Sequence, residues 1–287
     1  GDEVIVPAFT WIATANVVLY CGATPVFVDV STETFNIDPE QVSGKVTEKT
    51  KAIIPVHLFG LCADIDAIKA VIPDYVMILE DAACAVGASY KGKDAGTLGD
   101  VASFSFHPRK SITTGEGGAV LSNDENIDRR LRLFRSHGIT KDPDLLKNNL
   151  GPWYYEQIDL GYNYRITDIQ SALGISQLKK LSAFKKRRRE IVDRYNDELQ
   201  SIPLLQLPFE SKDCDSNFHL YVILFDYEKA GIKRNSFRET FLENNIATQI
   251  AYDIFGADKV TGKVPETNQY VLKVHGTVFI TDNWKVD

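Results

Sequence analysis

Short apolar runs alternate with amphipathic stretches through the first half of the chain, and this alternation restricts the available folds more than any other feature. Val4–Val6, Val26–Val30, Ala52–Val56, Met77–Leu79 and Ala102–Phe106 are short, rich in Val, Ile or Phe, and bounded by Gly, Pro or Asp, as strands are. Between them, stretches near Ala13–Tyr20, Pro39–Val46 and Ala63–Val71 read as helices. Asp38-Pro39 opens the second of these, with Asp at the cap and Pro in the first turn. Strands separated by helices of this kind predict an α/β fold: a mostly parallel sheet flanked by helices. Ligands of such sheets sit at the carboxyl ends of the strands. Asp81, just after one strand, and Phe106–Lys110, just after another, are therefore expected on the same rim.

Further along, Gly115–Ser122 reads as a Gly-rich turn followed by a strand, and Asp124–Ser136 as a helix. Thr167 to about Leu199 is a long helical pattern with few breakers. A smaller unit follows, with a strand at His219–Phe225, a helix at Ser236–Glu243 and a strand at Ala247–Tyr252. The predicted organisation is a large α/β domain over residues 1–175, then a linking helix and a small, incomplete α+β domain over residues 176–287.

Bulk properties exclude several classes. A net charge of −7 argues against a non-specific nucleic-acid binder, and no apolar run reaches the roughly 18 residues a membrane span needs. Cys21, Cys62, Cys84 and Cys214 form no CxxC pair, so neither a metal site nor a disulfide framework is expected. Reduced thiols and no visible signal peptide fit a cytoplasmic protein. The chain opens at Gly1 almost directly into a strand and ends near Trp284 without an obvious final helix, so an N-terminal segment is expected to be missing.

The densest chemistry runs from Glu80 to Gly118, EDAACAVGASYKGKDAGTLGDVASFSFHPRKSITTGEGG. A carboxylate follows one strand, a Ser and a Lys follow the next, and a Gly-rich turn closes the segment. Pyridoxal 5′-phosphate (PLP) needs such a set: an amine for its aldehyde, a carboxylate against its ring nitrogen, and hydroxyl and backbone donors for its phosphate.

This segment resembles the DegT-type family of sugar-nucleotide aminotransferases, which are fold-type I PLP-dependent enzymes. The likeness extends over most of the chain, through GDEVIVPAFTWIATANVV, PVHLFG, GYNYRITDIQSALGISQL, FHLYVILF and NNIATQIAY. The resemblance implies that Lys110 in SFSFHPRK carries PLP as a Schiff base and that Asp81 in EDAA faces the ring nitrogen. It implies phosphate contact by Ser105, stacking of Trp11 on the ring, and a phosphate contact by Asn163 of GYNYR across the interface of a homodimer with shared sites. Cys84 departs from the Gln or His usual three residues after the carboxylate, and a thiol is a weak donor to the ring oxygen. The family's earlier phosphate-binding loop precedes the point where this chain starts, and the stretch after Tyr252 matches the family poorly.

Each residue has a plainer reading. Lys110 could be a solvated loop lysine, Asp81 a helix cap, Ser105 an ordinary strand residue, Trp11 a core aromatic, Asn163 a turn former and Cys84 a small buried filler. His57, His107 and His137 are weaker candidates for substrate contact, and Lys185–Arg189 reads as a solvated helix face. The function expected from the resemblance is amino transfer from glutamate to a keto sugar nucleotide, of 4-keto-6-deoxy type, in amino-sugar and polysaccharide biosynthesis. A PLP-dependent sugar dehydratase of the same fold is an alternative, although such members replace the lysine that stands here as Lys110. A non-catalytic PLP-fold sensor or regulatory protein is another.

Overall fold

A computed structural model describes residues 1–148, 150–244, 246, 248–250 and 277–280. The first part alternates as anticipated: β1 (Glu3–Pro7), α1 (Ala13–Tyr20), β2 (Thr24–Val28), α2 (Pro39–Val42), β3 (Thr50–Ile53), α3 (Ile65–Val71) and β4 (Met77–Asp81). A short hairpin, β5 (Ser89–Tyr90) and β6 (Lys93–Asp94), precedes β7 (Val101–Ser105), β8 (Gly118–Ser122) and α4 (Glu125–Arg135). A two-residue pair, β9 (Ile139–Thr140) and β10 (Glu156–Gln157), leads to α5 (Asp168–Leu178) and α6 (Leu181–Leu199). The remainder comprises β11 (Leu205–Gln206), β12 (Cys214–Asp215), β13 (Tyr221–Phe225), α7 (Tyr227–Ala230), α8 (Arg234–Glu243), β14 (Thr248–Ile250) and β15 (Thr277–Ile280).

The central sheet has six strands in the order β2-β1-β3-β4-β7-β8. All neighbours are parallel except β8, which returns antiparallel to β7 and pairs Gly118 with Ser105. Helices pack against the parallel sheet, and β1 and β3 are the most deeply buried of its strands, while β4 alternates between buried Ile78 and Glu80 and more open Met77, Leu79 and Asp81. Ile5, Ile53, Val28, Ile65, Ile68 and Ile78 form the largest core cluster. Each such side chain contributes about 1.5–3 kcal/mol on burial. The cluster fixes the sheet so that β4 and β7 present their carboxyl ends on one edge, as the sequence pattern anticipates.

A second sheet, β11-β13-β15-β14, is antiparallel, and β12 joins the β5–β6 hairpin in a third. The expected strand at His219–Phe225 is found as β13, starting two residues later. Of the strand expected at Ala247–Tyr252, Thr248–Ile250 is observed, while Ala247, Ala251 and Tyr252 lie outside the described residues. The single helix expected from Thr167 to Leu199 is instead two. The chain bends at Lys179–Lys180, where Lys180 has φ −98 and ψ −8. Nothing in LKKLS breaks a helix by composition; the bend lets Leu181 of α6 pack within 3.2–3.4 Å of the position a Cβ on Gly87 would occupy.

Among the described residues no helix is long and apolar enough to cross a membrane. All four cysteine thiols are free.

Candidate active site

Asp81 is the last residue of β4, and its backbone is held from both sides. Its N–H donates to the Pro55 carbonyl at 2.9 Å, and its carbonyl accepts from the His57 N–H at 3.0 Å. Side chains alternate along a strand, so the neighbouring Glu80 points the other way, into the protein. Glu80 is buried, with Oε2 2.8 Å from His57 Nε2 and 2.7 Å from the Gly96 N–H. Its Oε1 accepts from the Leu98 and Gly99 N–H groups at 2.7 and 2.6 Å. Burial would raise the Glu80 carboxyl, but the bonds from His57, Gly99 and Gly96 outweigh it and hold the group below its ordinary value. His57 also accepts the Ala63 N–H at Nδ1, 3.1 Å away. His57 is therefore not a substrate contact: its side chain is sealed in the interior, and both ring nitrogens are taken.

Lys110 lies in the loop between β7 and β8. That loop closes on itself: the Phe106 N–H donates to the Gly117 carbonyl at 2.9 Å, and the Thr114 N–H donates to the Phe106 carbonyl at 3.0 Å. Gly117 has φ +155, and a Cβ there would strike Thr114 Oγ1, so the turn requires glycine. Lys110 Nζ reaches across the rim and donates to Cys84 Sγ at 3.2 Å. Burial pushes the Cys84 thiol up, against the pull of the Lys110 cation, which keeps it a thiol. The residue three positions after Asp81 is thus the one the lysine touches.

Asp81 itself gains a partner that sequence reasoning overlooked. Thr14 Oγ1, in α1, donates to Asp81 Oδ2 at 2.8 Å, and Thr10 Oγ1 lies 3.2 Å from Thr14 Oγ1. Asp81 Oδ1 accepts the Ala83 N–H at 3.2 Å. Two threonines flanking the start of α1, Thr10 before it and Thr14 in its first turn, were the available signal. The same turn presents Trp11, which is 76% exposed and is not a core aromatic. Ser105 ends β7 half-buried, its Oγ accepting the His107 N–H at 3.3 Å.

Asn163 lies elsewhere. It is exposed, pairs in a backbone bridge with Ser136, and no hydrogen bond links it to Lys110 or Asp81 among the described residues. The ribbon around it is apolar and open: Leu160, Tyr162, Tyr164 and Ile169 are all exposed, and the two tyrosine rings stack at 4.9 Å.

Three more groups close the site from the later part of the chain. Asn217 is fully buried beneath the rim. His219 is pushed down to about 3 by burial and then by the nearby Lys110 and Arg188 cations, so its ring is neutral. Arg188 Nη1 is buried without a hydrogen-bond partner among the described residues, so the basic run at 185–189 is not wholly a solvated face. Lys185 Nζ in the same run donates to the Gly87 carbonyl at 2.7 Å and pairs with Asp215 Oδ2 at 2.7 Å. FHLY was the signal for His219, but its partners come from elements distant in sequence.

An open, mostly parallel sheet with one antiparallel return, and with a carboxylate and a lysine at the ends of β4 and β7, is the fold-type I architecture of PLP-dependent enzymes. The chain belongs to the DegT/DnrJ/EryC1/StrS aminotransferase family, whose profile matches residues 1–274. The Bacillus subtilis spore coat polysaccharide biosynthesis protein SpsC is 42% identical over 254 residues, covering 88% of this chain and 65% of that protein. The chain thus spans about 65% of the length of the curated relatives it matches. Helicobacter pylori PseC, an aminotransferase involved in the biosynthesis of pseudoaminic acid, superposes with a TM-score of 0.84 at 30% identity, covering 97% of this chain and 74% of PseC. Streptococcus pneumoniae Spr1654, described as a candidate sugar aminotransferase, superposes in its PMP form with a TM-score of 0.79 at 34% identity, covering 88% of this chain and 68% of that one. Spr1654 is also known in a PLP form.

PLP is the cofactor of this fold and family, and the residues present fit it. The rim offers a half-buried amine, a half-buried carboxylate tied down by Thr14, a strand-end hydroxyl and an open aromatic face.

Proposed function

We propose that the protein is a PLP-dependent aminotransferase that moves an amino group from glutamate to a keto sugar nucleotide, of the 4-keto-6-deoxy type, for amino-sugar and polysaccharide biosynthesis. The observation that carries this reading is the contact of Lys110 Nζ with Cys84 Sγ at 3.2 Å, which brings the lysine of one strand end onto the loop that begins with Asp81. Bound PLP supplies an aldehyde that exchanges amino groups and a ring that stores electrons while the proton beside the nitrogen moves.

The chain's residues do the rest. Asp81, anchored through Oδ2 by Thr14, receives the ring N–H and keeps that nitrogen protonated. Lys110 Nζ would hold the cofactor through its amine and would serve as the group that moves the proton at the reacting carbon. Ser105 Oγ donates to the phosphate, and Trp11 covers one face of the ring. Cys84 would face the ring oxygen as a weak donor. Asn163 serves the site of a second copy. The exposed apolar ribbon around it supports this, because a surface of that kind marks an interaction site. Within the same reading, residues 1–175 bind the cofactor, and residues 176–287 provide the linking helix and the smaller domain.

Lys110 also favours transfer over dehydration, which in this fold is run without the lysine. The direct test is borohydride reduction of the PLP-loaded, full-length protein followed by peptide mapping. Label on the peptide containing Lys110, with absorbance that bleaches on adding glutamate, is the expected result. Label at Lys91 or Lys93 with Lys110 unmodified would overturn the site. A cofactor band that glutamate leaves unchanged would favour a silent binder.

A further inference from the structure

Asn217 makes more bonds to the active-site loops than any one of the proposed catalytic residues. Its side chain has 0% exposure. Nδ2 donates to the Cys84 carbonyl at 3.0 Å, the Val86 carbonyl at 2.8 Å and Ser111 Oγ at 3.2 Å. Two amide hydrogens thus serve three acceptors. Oδ1 accepts the His219 N–H at 2.9 Å, so donors and acceptors on opposite sides fix which way the amide faces. Its own backbone N–H donates to the Gly60 carbonyl at 3.3 Å, and Ser216 Oγ donates to the same carbonyl at 2.9 Å. Gly60, at φ +97, admits this approach: a Cβ there would collide with Asn217 Oδ1 and stand 2.9 Å from the His219 nitrogen.

The three acceptors matter because of where they sit. Cys84 and Val86 lie in the loop that begins with Asp81, and Ser111 follows Lys110 directly. The Ala82 N–H still donates to the Ser103 carbonyl of β7, but beyond that point no backbone hydrogen bond joins residues 83–88 to residues 106–114: Ala85 donates to Ala82, Ala88 to Ala85, and Lys110 back to His107. A single buried carboxamide therefore spans the gap that Lys110 Nζ must bridge to reach Cys84.

We infer that Asn217 is a positioning residue for this site: its carboxamide sets the separation between the loop of Asp81 and Cys84 and the loop of Lys110, and so aims Lys110 Nζ at the cofactor. This rests on the assignment of Lys110 proposed above. Losing the amide unpairs two buried carbonyls and a hydroxyl, and buried acceptors left without partners are costly. The two loops then relax independently, and the amine loses its aim while the phosphate and ring contacts remain.

The test compares Asn217→Ala and Asn217→Asp with Asn36→Ala in the full-length protein. Asn36 is a matched control: it is buried, donates to the Leu61 carbonyl at 3.0 Å and accepts the Leu58 N–H at 2.9 Å, but touches neither loop. Hydrogen exchange without cofactor is read over residues 82–88 and 110–114, and the rate of borohydride fixation to the Lys110 peptide is read with PLP bound. Both Asn217 variants are expected to raise exchange in the two loops and to slow fixation by about tenfold, the effect of one lost buried hydrogen bond. Asn36→Ala should leave both readouts as in wild type even where its melting temperature falls equally. Wild-type exchange and fixation in the Asn217 variants, or an equal change in Asn36→Ala, would overturn the positioning role. Fixation of wild-type protein at another lysine overturns the functional reading and this inference with it, whereas fixation at Lys110 unaltered by the Asn217 variants removes only the inference.

Discussion

The rim that holds Asp81, Cys84 and Lys110 and the ribbon that holds Asn163 differ in how completely one chain satisfies them. On the rim nearly every polar group is spoken for: Thr14 on Asp81, Lys110 on Cys84, Asn217 under both loops. On the ribbon, Leu160, Tyr162, Tyr164 and Ile169 are exposed among the described residues. The first region is preorganised, as a site needing fixed geometry must be. The second is an exposed apolar surface, and a second copy is its proposed cover.

The largest expected effect lies on the rim. Lys110→Ala should abolish covalent fixation of PLP and turnover together, while absorbance of loosely held cofactor survives; retained turnover would break the preorganised half of the comparison. Asp81→Asn comes next. The cofactor should stay bound, but transamination should nearly vanish, since the charge-assisted bond alone is worth about 1.5–3 kcal/mol. Single-turnover kinetics with glutamate measure it, and a rate near wild type would free Asp81 of its assigned role.

The ribbon is tested by mixing. Subunits carrying Lys110→Ala and subunits carrying Asn163→Ala should each be inactive yet regain activity together, because some mixed dimers then hold one intact site. Failure to regain activity while both parents dimerise would confine every site residue to one chain. Ile169→Asp sharpens the point. Ile169 is 85% exposed in the first turn of α5, where an added acid suits the helix N-terminus, so the fold should survive while the assembly dissociates in analytical ultracentrifugation.

The smallest effect is on pH-dependent stability. Glu80 is held below its ordinary 4.5, so it stabilises the fold above that value and the contribution drains away as pH falls beneath it. Glu80→Gln should flatten the acid limb of the unfolding curve, measured by circular dichroism across that range; an unaltered limb would assign acid sensitivity to other carboxylates.

The large sheet was legible in the sequence because each of its strands is a local apolar run with its own boundaries. The places of Asp81 and Ser105 at strand ends follow from those runs, and Lys110 lies in the loop that leaves the second of them. The bend at Lys179–Lys180 was not, since it is made by packing of Leu181 near Gly87 rather than by a breaking residue. β15, which joins β13 and β14, carries a strand composition in TVFI, but its pairing with β13, more than 50 positions earlier, has no local signature. Thr14 and Asn217 escaped notice because their partners lie 67 and more than 100 positions away, and no periodicity links such positions. His57 looked available in PVHLFG, and only the buried Glu80 beside it shows why it is not.

The pairing of β12 with β5 has a consequence for how the protein is made. Cys214 pairs with Tyr90 and Asp215 with Ser89, so a strand synthesised late completes a hairpin synthesised early. Closing so long a loop is slow, and it waits on the ribosome. A nascent chain that has not yet reached residue 214 carries Asp81 and Lys110 on a finished sheet but lacks the strand that pairs with the β5–β6 hairpin. Pulse-chase digestion of stalled chains should therefore show protection of residues 89–94 arriving only after that strand has emerged.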